Sequence, residues 1–122
     1  MIQALTNRLL DFTPKKPDEN LPQAAVLILC YEKGDDLFFV MTERSSSLPS
    51  HPGEVAFPGG KKEMQDENLK QTALREASEE ISIDPSKVEI LGQLDPLESR
   101  FGLSVTPFVG ILEENFELEP NP

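Results

Sequence analysis

The chain has 122 residues, enough for one domain and not comfortably for two. Apolar residues make up 38% and charged residues 27%, the balance of an ordinary globular protein. A formal net charge of −11 argues against broad nucleic-acid binding, because phosphate backbones reward Lys and Arg. An acidic protein can still handle phosphates where a cation stands between the two sets of negative charge.

In chain order, residues 2–11 read as a helix, with Ile2, Leu5, Leu9 and Leu10 near one face. Pro14 and Pro17 end it, and a polar linker runs from Lys15 to Pro22. Ala24 to Tyr31 reads as a buried strand. It contains the single Cys30, expected as a small buried hydrophobe because nothing nearby would lower its pKa. One cysteine forms no internal disulfide, which is compatible with a reducing compartment. No basic start followed by an apolar stretch is visible, so the expected location is the cytoplasm, with no membrane partner.

Lys33-Gly34-Asp35-Asp36 is a turn signal, and Leu37 to Thr42 is the returning strand of a hairpin. A Ser- and Pro-rich loop covers Ser45 to Pro52. Gly53 to Phe57 follows as a short strand broken by Pro58-Gly59-Gly60. A helix of strong formers, free of Gly and Pro, is expected from about Asp66 to Ile81, closed by Asp84-Pro85. Val88 to Leu94 and Leu103 to Leu112 read as strands separated by a loop over Asp95 to Gly102. The tail Glu113 to Pro122 is acidic. This order implies one α/β domain with a mixed sheet over 1–122, with a helix and linker in 1–22 and the core in 23–122.

The long helix carries the chemistry. At about 100° per residue, Glu76, Glu79 and Glu80 fall within roughly 100° of arc, and Leu74, Ala77 and Ile81 fall on the other side. Like charges one turn apart repel, so a bare helix gains nothing from them. A hard divalent cation such as Mg²⁺ or Mn²⁺ reverses the sign, because it takes carboxylate oxygens. A plain solvated acidic face remains the other reading. Gly59 and Gly60, directly after a strand, allow a sharp turn or the close approach of a ligand.

Together, Gly60 and the run Arg75-Glu76-Ala77-Ser78-Glu79-Glu80-Ile81-Ser82-Ile83 resemble the Nudix box. That pattern runs Gly, five residues, Glu, seven residues, then Arg-Glu, an apolar residue, any residue, Glu-Glu, any residue, Gly and an apolar residue. Two positions depart from it. Ser82 stands where the family has Gly, and Asp66 stands near the place of the first Glu. Glu67 has the right spacing to Arg75 but lies one residue too far from Gly60, so either acid could fill that role.

Thr72-Ala73-Leu74-Arg75-Glu76-Ala77, the upstream run from Met41 through Arg44, Ser45, Leu48, His51 and Gly53 to Phe57-Pro58-Gly59-Gly60, and Val105-Thr106-Pro107-Phe108-Val109-Gly110 are similar to the coenzyme A diphosphatase branch. The resemblance implies a Nudix-like α/β/α sandwich with a mixed sheet, shortened at its C-terminus. It implies cleavage of the diphosphate of coenzyme A to 3′,5′-ADP and 4′-phosphopantetheine. Alternatives are hydrolysis of another nucleoside diphosphate derivative, such as NADH or ADP-ribose, and a shortened nucleotide-binding module without turnover.

The resemblance further implies Mg²⁺ or Mn²⁺ held by Glu76 and Glu80, with Glu79 as a further ligand or a holder of water. Arg75 would orient a glutamate, and the Gly60 carbonyl would be an extra ligand. Arg44, Ser45, His51 and Gly59 are the substrate-side candidates. Arg44 is equally a surface arginine, and His51 equally a structural loop residue. Phe57 is expected in the core, and Phe101 stays open between stacking on adenine and no role. The partner is a small molecule, and a homodimer is possible.

Overall fold

The structure is a computed structural model that describes residues 2–43 and 55–112. Helix α1 spans Ile2–Leu10. Strands β1 (Gln23–Lys33) and β2 (Asp36–Val40) form the expected hairpin, its turn made by Gly34 at φ 63°. Short strands β3 (Thr42–Glu43) and β4 (Val55–Ala56) pair with each other as a small separate ribbon. Strand β5 is Gly59–Lys61 and helix α2 is Leu69–Ile81. A 3₁₀ turn over Pro85–Lys87 leads into β6 (Val88–Gln93), and β7 (Leu97–Glu98) and β8 (Ser104–Leu112) complete the order.

The main sheet runs β2-β1-β8-β6, with β5 added to β1 and β7 added to β8. Among the described residues only β1 and β8 are parallel, so the sheet is mixed, as expected. Their register pairs Gln23 with Ser104 and Leu27 with Phe108. Ala25, Leu27 and Leu29 of β1, Val40 of β2, and Phe108 and Leu112 of β8 share one face. They pack on Ala73, Ala77 and Ile81 of α2. Small residues on α2 let its backbone come close to the sheet. Each large aliphatic side chain so buried stabilises the fold by about 1.5–3 kcal/mol.

Gly92 pairs with Val109, whose side chain points away from the Phe108 face, and the Cβ position of Gly92 faces Leu9 of α1. The two helices therefore lie on opposite faces of the sheet, which is the α/β/α layering. Cys30 is fully buried, with its Sγ 3.4 Å from the Gly110 carbonyl oxygen, and burial pushes its thiol pKa up.

Several boundaries differ from the sequence reading, and the strand expected over Leu37 to Thr42 is split between β2 and β3. α2 begins at Leu69 rather than near Asp66, because the Asn68 side chain caps it by accepting from the Gln71 N–H at 2.8 Å. Gly59 and Gly60 do not break a strand; they form β5 against Val26 and Ala25. The loop expected over Asp95 to Gly102 contains β7. Of the strand expected over Gly53 to Phe57, only Val55–Ala56 is seen, and residues 53 and 54 lie outside the described residues.

Candidate metal and diphosphate site

α2 is held at both ends. Asn68 caps its start, and Ser82 at φ 56° closes its end with its N–H on the Ser78 carbonyl. The left-handed geometry of Ser82 is the conformation for which glycine is the usual residue. The helix then lies across β5, and Glu76 and Glu80 face the two glycines.

Both glycines are required, for different reasons. A Cβ at Gly59 would sit 2.5 Å from the Ala25 carbonyl oxygen and 2.6 Å from Val26 Cγ1. Only a residue without one lets β5 lie this close to β1. A Cβ at Gly60 would sit 2.5 Å from both Cδ and Oε1 of Glu76. The space it leaves is filled by the Glu76 carboxylate. The Gly59 N–H donates to Glu80, and Glu80 shares a hydrogen bond with Glu76. Half-burial, with the Glu76 charge second, pushes the Glu80 carboxyl up to about 7.

Arg75 organises the other half of the site. Its Nε and Nη2 donate to Oδ1 and Oδ2 of Asp66 at 2.9 and 3.0 Å, a two-pronged pair. Nη1 reaches Glu76 Oε1 at 3.1 Å and Glu79 Oε1 at 3.2 Å, and Nη2 also donates to the Lys61 carbonyl at 3.1 Å. The Asp66 side chain is 1% exposed. It also accepts from the Glu63 N–H and the Thr72 hydroxyl, both at 2.9 Å. Hydrogen bonds from Arg75 hold its carboxyl well below the usual carboxylate range, and Asp66 in turn raises the Arg75 pKa.

This geometry adds to one expectation and decides between two residues left open in another. Arg75 does pair with glutamates, its Nη1 meeting Glu76 and Glu79 with Glu63 3.7 Å away, but its main partner is Asp66, which takes both other nitrogens. Of the two acids near the first Glu of the pattern, Asp66 meets the arginine, whereas Glu67 is exposed. Asp66 was the residue whose function sequence reasoning left open. The signal was present in its spacing to Thr72 and Arg75, but the path of the loop decides it.

Of the three glutamates on the helix arc, Glu76 and Glu80 converge, and the 58%-exposed Glu79 turns to Arg75. Among the described residues no three Asp, Glu, His or Cys side chains stand close enough together to hold an ion unaided. The donor set nevertheless fits a hard divalent cation. Two carboxylates are pressed together beside a glycine, and half-burial with the neighbouring Glu76 charge holds the Glu80 carboxyl above its ordinary value. A cation between them would satisfy both with oxygen ligands.

Arg44, Ser45 and His51 lie outside the described residues. Phe57 is half-buried rather than in the core, with its ring edge-to-face with Phe39 at 6.1 Å. Phe101 is 75% exposed. Among the described residues no helix is long and apolar enough to cross a membrane.

Comparison with known proteins follows this geometry. A mitochondrial Nudix hydrolase of Arabidopsis thaliana is 44% identical over 110 residues, covering 88% of this chain and 39% of that protein. An uncharacterized Nudix hydrolase of Photorhabdus laumondii is 47% identical over 111 residues, covering 89% and 58%. The peroxisomal coenzyme A diphosphatase of Mus musculus is 42% identical over 97 residues, covering 80% and 41%. The chain thus spans between 39% and 58% of the length of these relatives.

Among solved structures, the binary complex of the C. elegans Ap4A hydrolase superposes with a TM-score of 0.68 at 21% identity, covering 80% of this chain and 71% of that one. The NUDIX domain of Shewanella oneidensis NrtR complexed with ADP ribose gives 0.60 at 19%, covering 93% and 81%. These likenesses establish the fold alone. The NUDIX domain pattern matches residues 21–118, and the chain belongs to that family.

Proposed function

We propose that this chain is a divalent-metal-dependent hydrolase that cleaves the diphosphate bond of coenzyme A or its derivatives, giving 3′,5′-ADP and 4′-phosphopantetheine. The observation that carries the reading is the Glu76–Glu80 pair seated against Gly60, with Arg75 locked beside it by Asp66. Glu76 and Glu80 hold Mg²⁺ or Mn²⁺, with the Gly60 carbonyl as a further ligand. When bound, the metal neutralises the diphosphate and lowers the pKa of water. Glu79, at the exposed rim beside Arg75, serves the same cluster. Arg75 fixes the direction of Glu76, and a carboxylate of the cluster takes a proton from the attacking water.

Arg44, Ser45, His51 and Gly59 are assigned to the substrate side. The choice of coenzyme A is supported by the upstream sequence run shared with that branch and by the identity to the mouse enzyme so named. The whole unit, residues 1–122, acts as one domain, in the cytoplasm and, where it self-associates, as a homodimer.

The test is mass spectrometry of coenzyme A incubated with the protein and Mn²⁺, with Glu80→Gln as control and NADH and ADP-ribose run in parallel. Products that appear only with metal and wild-type protein support the activity. Faster cleavage of NADH or ADP-ribose than of coenzyme A overturns the substrate assignment. No metal-dependent cleavage of any of the three overturns the enzyme reading.

A further inference from the structure

The connection between β7 and β8 is an ordered hairpin with an unusual tip. Ser99 and Leu103 close it through the Ser99 N–H on the Leu103 carbonyl at 2.8 Å. The Gly102 N–H returns to the Ser99 carbonyl at 3.0 Å, with Gly102 at φ 79°. The Ser99 hydroxyl accepts from the Phe101 and Leu103 N–H groups at 3.3 and 3.1 Å. The N–H groups of Phe101, Gly102 and Leu103 are thus all bonded to Ser99 within the turn. Phe101 nevertheless stands 75% exposed, with the Arg100 guanidinium carbon 5.4 Å from its ring centroid. The ring takes no part in the core.

The sheet connects this tip to the acidic cluster. Lys61, Ala24, Val105 and Leu97 form one row across β5, β1, β8 and β7. Arg75 donates to the Lys61 carbonyl at one end of the row, and the hairpin leaves from the other end. Three strand spacings, about 14 Å, separate Lys61 from Leu97, and the turn that carries Phe101 extends beyond Leu97. Both lie at the sheet end where β1 and β8 begin. A nucleoside diphosphate joined to a second alcohol can bridge that span.

We propose that Phe101, backed by Arg100, is a stacking platform for the base of a nucleoside-containing substrate whose diphosphate lies at Glu76 and Glu80. This subsite rests on the diphosphate-hydrolase reading of those glutamates. A ring held by its own backbone stacks a base with little further ordering, and any base has a face to offer. The guanidinium polarises the ring from behind and supplies positive charge near a sugar phosphate. This cationic aromatic pair stands in a strongly acidic chain.

The test is the fluorescence of 2-aminopurine riboside 5′-monophosphate, which has no phosphoanhydride to cleave, titrated with the protein in Mg²⁺. Stacking predicts quenching by wild type and by Phe101→Trp. Phe101→Ala should lose the quench and bind about tenfold more weakly or worse. Because Phe101 is exposed, its removal leaves the core intact, and circular dichroism checks this. In turnover of coenzyme A, Phe101→Ala should raise KM about tenfold with kcat within twofold. No quench with wild type, or an equal quench with Phe101→Ala, overturns the platform. Quenching without hydrolysis of any diphosphate leaves the platform standing and sinks the reading of the glutamates instead.

Discussion

Gly59→Ala and Gly60→Ala add the same methyl group to adjacent residues of β5, yet the structure predicts different failures. At Gly60 the new Cβ lies 2.5 Å from Cδ and Oε1 of Glu76, the far end of a flexible side chain. Ordinary contact is about 3.5 Å, so the carboxylate must retreat by about 1 Å. The backbone is undisturbed, and Gly60→Ala should fold with a melting midpoint close to wild type. A catalytic group misplaced by about 1 Å can cost on the order of 100-fold in rate. Metal affinity, read by calorimetry with Mn²⁺, should fall as Glu76 leaves Glu80.

At Gly59 the Cβ meets backbone instead, Ala25 O at 2.5 Å and Val26 Cα at 2.8 Å. No rotamer relieves that, and β5 must lift off β1. Overpacking of this kind costs about 1–3 kcal/mol or more, so Gly59→Ala should unfold at lower denaturant. Urea melts and Mn²⁺ titrations of the two variants decide the matter. If Gly60→Ala loses stability as Gly59→Ala does, or binds Mn²⁺ like wild type, the claim that Gly60 exists to seat Glu76 is wrong.

Further outcomes follow from the same residues. Asp66→Ala leaves the Arg75 guanidinium buried without its main partner and should cost about 3–5 kcal/mol in a urea melt. Asp66 also sets an acid limit. Its folded pKa is depressed, so its stabilisation is complete above the unfolded value near 3.9 and is lost as pH falls below it towards the folded value. Thr72→Val, which keeps the volume of a fully buried side chain but removes its bond to Asp66, should flatten that acid limb and cost about 1–3 kcal/mol. Ser82→Gly relieves a left-handed serine at the end of α2 and should raise stability by about 1 kcal/mol, seen as a later thermal midpoint. Arg75→Lys keeps the charge but not the fork that spans both Asp66 oxygens, so turnover should fall well beyond any loss of stability.

Periodic features were the legible ones. The alternation of Ala25, Leu27 and Leu29 and the Gly-free run of α2 follow from side-chain spacing alone, and both elements form, α2 with its expected end at Ile81 but a later start. What could not be read depends on long-range pairing. Gly59-Gly60 reads locally as a break, but β1 needs a neighbour beside Ala24 to Val26, and only glycine lets that strand approach. Asp66 reads as a helix start, but Asn68 caps the helix and the 62–66 loop turns Asp66 inward to Arg75. The helical wheel places Glu79 with its neighbours, because it counts angles and ignores a competing cation. Arg75 one turn earlier takes Glu79 out of the group.

That competition explains why the site needs an ion from outside. Glu80 stands next to Glu76, and four carboxylates, Glu63, Asp66, Glu76 and Glu79, surround one guanidinium. Asp66 takes two of its prongs in a buried pair, and that half of the site is electrically closed. Glu76 and Glu79 divide the remaining prong, and Glu80 receives a backbone N–H from Gly59 and a hydrogen bond shared with Glu76, but no cation. Negative charge is therefore left uncompensated where Glu76 meets Glu80, beside a backbone position that excludes every side chain. A merely solvated acidic face would let these two carboxylates separate into water. Here the packing of α2 on β5 keeps them together, and a divalent cation is the partner that turns their repulsion into attraction.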